Sequence, residues 1–156
     1  MTRHDRIDDV PLRPDFWTLP LEALNPAEWE ALCDGCGKCC LLKLEDPDTG
    51  EIAYTDVSCR LLDLRTCRCG HYRIRTRLVE GCVALSPATL IEALPWMPAT
   101  CAYRLRAEGR PLPDWHPLHT GRAESVVEAG QSVADYAVPE YEVDEADLDY
   151  RIIGEP

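Results

Sequence analysis

Apolar residues along this chain come in short bursts cut by proline and glycine, a pattern that predicts brief elements. Phe16, Trp17, Leu19, Leu21 and Leu24 form an apolar belt interrupted by Pro20, expected to run extended against a core. Asn25-Pro26 is a helix start, with Asn as N-cap and Pro at the first helical position. The helix predicted over 27–32 places Trp29 and Leu32 on one face and ends at Cys33. Leu41-Leu42-Lys43-Leu44 and the segment 51–57 flank a Pro47-Asp48-Thr49-Gly50 turn, which reads as a β-hairpin closed by Cys59. Ser86-Pro87 starts a second helix over 88–94, stopped by Pro95, and a third is expected over 101–108 with Gly109 as its C-terminal cap. The segment 110–118 contains Pro111, Pro113 and Pro117, so it is expected to wrap the domain irregularly with Trp115 as anchor. An edge strand is expected over 132–138. The fold class is therefore α+β: a small irregular single domain of short helices and a β-hairpin, organised around a cysteine metal cluster. Residues 1–15 read as a flexible arm, 16–138 as the cysteine-cluster domain and 139–156 as an acidic C-terminal segment, in which six of the ten residues 140–149 are acidic.

Charge narrows the partners. With 16 Lys and Arg against 28 Asp and Glu, the net charge is −12. Non-specific nucleic-acid binding relies on cations neutralising phosphates, so no nucleic-acid partner is expected, and no anionic membrane surface either. No apolar run approaches the ~18–20 residues of a membrane span, and the first fifteen residues lack the apolar core of a secretion signal. A cytosolic protein is expected. There, nine cysteines read as metal ligands or reactive thiols before they read as disulfides.

Cys33-Asp34-Gly35-Cys36-Gly37-Lys38-Cys39-Cys40 packs four of those thiols into eight residues. Thiolates favour zinc, copper(I) and iron–sulfur clusters, and the C-x2-C-x2-C spacing lets one loop supply three ligands. Gly35 and Gly37 can take positive φ, which lets the backbone curl so that the sulfurs converge. Cys40 points away from Cys39 in an extended backbone, so it suits a second metal or the core. The remaining thiols are Cys59, Cys67, Cys69, Cys82 and Cys101. Cys67 and Cys69 are one residue apart, so in an extended segment both side chains face the same way. The distal cysteines are expected to gather around the 33–40 loop, in one composite cluster or two neighbouring sites. An isolated thiol such as Cys82 or Cys101 has an alternative place as a small core hydrophobe. His116 and His119 are weaker nitrogen candidates, with His4 and His71 behind them. No phosphate loop, dinucleotide fingerprint, zinc-protease motif or nucleophile elbow is present.

The runs CDGCGKCC, TDVSCRLLDLRTCRC and PATCAYRLRAEGRPLPDWHPL resemble the bacterial CxxCxxCC cysteine-cluster family of zinc- or iron-chelating domains, most closely its YcgN-type branch. The resemblance spans roughly residues 15–140. It implies metal ligands at Cys33, Cys36, Cys39 and Cys40, with the later cysteines as additional candidates, and it implies no reaction. Three functions compete: a zinc or iron protein centred on its metal, a zinc-stabilised module recruiting a protein partner, and an iron–sulfur redox or accessory protein.

Overall fold

A computed structural model describes residues 11–156. The arm expected over 1–15 therefore lies largely outside the described residues, as does His4. Among the described residues, helical positions (40%) outnumber strand positions (14%), and no single helical element exceeds seven residues, as expected of a small α+β fold. The described residues form two compact units, one from 11–34 and 85–122, the other from Gly35–Ala84 and Ala123–Pro156.

The first unit is helical. Helix α1 (Pro26–Ala31) begins where Asn25 and Glu28 exchange side-chain-to-backbone hydrogen bonds in a capping box, and α2 (Pro87–Ala93) begins with the same box between Ser86 and Thr89. Each box satisfies two amides that a helix otherwise leaves without partners. Helix α3 (Ala102–Ala107) follows Cys101. Leu21, Leu32, Leu90, Ala93, Met97, Ala102, Tyr103 and Leu112 form the core, with Trp17, Trp29 and Trp96 packed against it. Tyr103 Oη donates to the Trp29 carbonyl at 2.6 Å, and the two rings lie 4.8 Å apart. The apolar belt is not extended: it folds into helical turns at Phe16–Thr18 and Leu21–Ala23, because Leu21 and Phe16 are buried one turn apiece. In the proline-rich segment, Leu112 and His116 carry the burial and Trp115 stays half-exposed. The buried Glu28 carboxylate takes a forked ion pair from Arg13, at 2.6 to 3.2 Å.

The second unit is built on the predicted hairpin. Strands β1 (Leu41–Glu45) and β2 (Ile52–Ser58) pair antiparallel, from Leu41 opposite Ser58 to Glu45 opposite Ile52. Asp46 Oδ1 accepts from the amides of Asp48 and Thr49, which fixes the turn. A two-residue ribbon follows, β3 (Leu62–Asp63) against β4 (Arg68–Cys69). The strand expected over 132–138 is shorter: a helical turn occupies Val133–Asp135, and only β5 (Val138–Pro139) pairs, parallel to β2. The acidic segment continues through two helical turns into β6 (Ile152–Ile153), which pairs with Tyr54 and Thr55 of β2. Arg151 secures it through Asp56 at 2.8 and 3.1 Å. Leu41, Tyr54, Leu62 and Val133 form this unit's core, with Cys40 and Cys67 packed against it. Among the described residues, no helix is long and apolar enough to cross a membrane.

Candidate metal centre

All nine cysteines are thiols. Cys33 follows α1 and is exposed. The carbonyl of Leu32, the residue before it, is held by His116 Nε2 at 2.9 Å, while His116 Nδ1 accepts from the Leu118 amide at 3.0 Å. The amide fixes Nδ1 as acceptor, so Nε2 bears the proton. Burial pushes the His116 pKa down, partly offset by its bond to Leu32. Both ring nitrogens are thus committed to backbone, and His116 positions the end of α1 rather than offering a metal ligand. His119 is exposed and stacks edge-on against Trp17 at 5.6 Å. Cys101 packs against the apolar core of its own unit, the small-hydrophobe alternative.

The rest of the cysteine run lies in the hairpin unit and is gripped from behind by residues 131–133. Val133 N donates to the Cys36 carbonyl at 2.9 Å, and the buried Lys38 donates from Nζ to Gln131 Oε1 at 2.7 Å. Gly37 has φ +78, and a Cβ there would sit 2.6 Å from Val133 Cγ2 and 2.7 Å from Cys67 Sγ. Only glycine fits so close an approach. Cys67 itself has φ 55, rare for a residue with a side chain. Its Sγ donates to the Cys36 carbonyl at 3.4 Å and accepts from Ser132 Oγ at 3.7 Å. The extended geometry expected over 67–69 therefore fails at Cys67, which turns back onto the loop, while Cys69 lies in β4.

Backbone pairing brings further cysteine positions together. Cys59 N donates to the Cys40 carbonyl at 2.8 Å, extending the β1–β2 ladder to these two residues. Leu62 N then turns back to the Cys59 carbonyl at 3.0 Å, and Leu62 pairs with Cys69 across the ribbon. Arg60 Nη2 donates to the Leu78 carbonyl at 2.6 Å, tying the segment that leads to Cys82 to the one that carries Cys59. The electrostatics follow this adjacency. The Cys40 thiol is pushed far up by its hydrogen bond with Cys39, by burial, and by the charges of Cys39, Cys59 and Cys69. Burial pushes Cys82 up against the pull of Arg75, and Cys59, Cys69 and Cys39 add to it. Cys59 and Cys67 are raised chiefly by burial. Burial pushes the Lys43 ammonium down, and Cys39, Cys40, Cys82 and Cys59 oppose that shift.

Among the described residues, no group of three or more His, Cys, Asp or Glu side chains stands ready-made to hold a metal ion. The cysteine set is thus linked by backbone pairing, Cys40 to Cys59 and Leu62 to Cys69, and is not organised as a metal cluster. Its chemistry still suits a soft cation: crowded thiols raise one another's pKa, and a bound cation relieves the repulsion that keeps them protonated. The 131–133 grip and Lys43 were not foreseen from sequence. Their one local signal was a lysine inside and another just after the cysteine run.

Residues 32–102 match the CxxCxxCC family, described as "Putative zinc- or iron-chelating domain". A UPF0260 protein of Rhodobacter capsulatus is 61% identical over 142 residues, covering 91% of this chain and 95% of its own length. UPF0260 proteins of Parvibaculum lavamentivorans and Rhizorhabdus wittichii are 54% and 55% identical, covering 90% and 88% of this chain and 92% and 93% of their own. No solved structure matches. On this near-complete coverage, the chain belongs to the UPF0260 family and carries its CxxCxxCC metal-chelating domain.

Proposed function

We propose that this chain is a cytosolic metal-binding protein whose centre is the thiol group of the hairpin unit, with zinc or iron, including an iron–sulfur cluster, as occupant. The observation that carries the reading is the hairpin ladder that sets Cys40 against Cys59 and leads through Leu62 to Cys69. Cys39, Cys40, Cys59, Cys69 and Cys82 form the inner set. Cys36 extends it along the same run, Cys67 lies behind the loop, Cys33 is a candidate by its place in the run alone, and Cys101 is left to the core of its own unit. Bound zinc would cross-link loop and hairpin, whereas an iron–sulfur cluster would add one-electron chemistry. The cytosolic setting is supported by the dense C-x2-C-x2-C-C run itself, since in a reducing compartment such cysteines serve as metal ligands.

The test is elemental analysis, with visible and electron paramagnetic resonance spectra, of untagged protein purified without air. Broad visible absorption identifies iron–sulfur, and colourless protein with stoichiometric zinc identifies a zinc centre. Replacing Cys33, Cys36 and Cys39 together by Ser is expected to abolish stoichiometric metal. A folded triple variant that keeps its full metal content overturns the proposal.

A further inference from the structure

Lys43 lies in β1 opposite Tyr54, just past an irregularity in the strand register between Leu41 and Lys43. Such irregularities re-aim side chains, and this one accompanies an unusual lysine. Its Nζ turns back along its own strand and donates to the carbonyls of Cys39 and Leu41, at 2.9 Å each. It also lies 5.1 Å from the centroid of the Tyr54 ring. The two carbonyls flank Cys40. A cation is thus pinned beside the Cys39–Cys40 pair, where Cys59 and Cys82 also act on it.

We infer that Lys43 is the resident counter-cation of the thiolate centre, positioned to offset the surplus negative charge of a cysteine-bound metal. Four thiolates around one divalent ion leave a net charge of about −2. In a half-buried site that surplus is poorly screened by solvent, so a fixed ammonium beside two of the ligands stabilises the loaded state over the empty one. Lys43 acts through the cysteines and touches no metal, which makes it a positioning residue. The inference rests on the metal-centre reading above and adds the group that balances its charge.

The experiment measures Zn²⁺ affinity of the reduced full-length chain by competition with a chromogenic chelator, for wild type, Lys43→Met, Lys43→Arg and Lys43→Gln. Lys43→Met is expected to bind Zn²⁺ about 10–100-fold more weakly, the range for groups supporting metal ligands. Lys43→Arg keeps the charge and should stay near wild type. Lys43→Gln keeps a donor for the carbonyls without the charge and should be as weak as Lys43→Met. Lys43→Gln binding like wild type would show that the lysine only anchors backbone, and unchanged affinity in Lys43→Met would show that it does neither. Either result overturns the inference. If Lys43→Met melts early without metal, the Arg and Gln variants still decide. A wild-type chain that binds no Zn²⁺ overturns the metal-centre reading itself, and this inference with it.

Discussion

Replacing Gly37 by Ala probes how tightly the cysteine loop is held. Two costs arise. At φ +78, an L-residue with a Cβ is disfavoured by about 1–2 kcal/mol. The new methyl would also meet Val133 Cγ2 at 2.6 Å and Cys67 Sγ at 2.7 Å, well inside van der Waals contact. Val133 is fully buried, so the neighbours cannot step aside into solvent, and overpacking of this kind costs about 1–3 kcal/mol. The expected loss is roughly 2–5 kcal/mol for Gly37→Ala. Gly130, in the same unit, supplies the control: its φ is +70, and nothing lies within 4 Å of a Cβ built there. Gly130→Ala should lose only the backbone part, about 1–2 kcal/mol. All four tryptophans, at 17, 29, 96 and 115, lie in the other unit, so their fluorescence is the wrong probe. Amide exchange at Tyr54 and Val57 of β2 reports on the correct unit. If Gly37→Ala is no less stable there than Gly130→Ala, the close packing of loop, Val133 and Cys67 is refuted.

Two further outcomes are expected. Structural zinc contributes ~10–16 kcal/mol of apparent binding free energy in small domains, against a net stability of ~5–15 kcal/mol for a typical domain, so chelation should lower the melting temperature markedly; an unchanged melting curve after verified metal removal would show that the apolar cores suffice. The forked bond from Arg13 holds the Glu28 carboxyl at about 2, below its ordinary value of 4.5, so its contribution to stability is present above about 4.5 and is lost as pH falls through about 2; Glu28→Gln should flatten the acid side of the stability–pH curve, and an unaltered acid limb would remove Glu28 from it.

The features legible in the sequence are those fixed by neighbours in the chain. Asn25-Pro26 and Ser86-Pro87 mark their helices because a capping box closes within four residues. The hairpin shows because Pro47 to Gly50 can only turn between two apolar segments. The cysteine run announces its chemistry by density alone. What decides the site beyond that is long-range. The Lys38–Gln131 bond joins residues 93 apart, and no local pattern around Gln131 advertises it. Cys67 was expected to be extended, but close packing on the Cys36–Gly37 peptide holds it left-handed. The acidic segment conceals β6 because a two-residue strand is too short to show alternation, and its pairing partner lies almost a hundred residues earlier.

The grip of residues 131–133 on the cysteine loop also orders events during synthesis. The loop emerges from the ribosome when Gln131 is still 93 residues away from Lys38 in the growing chain. At ~5–20 residues per second, that leaves roughly 5–20 s in which the run is translated but its clasp is not. During that interval the thiols are open to ions and oxidants alike. On the metal-centre reading proposed above, an ion bound in that interval would shape the loop before Val133 arrives to hold the Cys36 carbonyl.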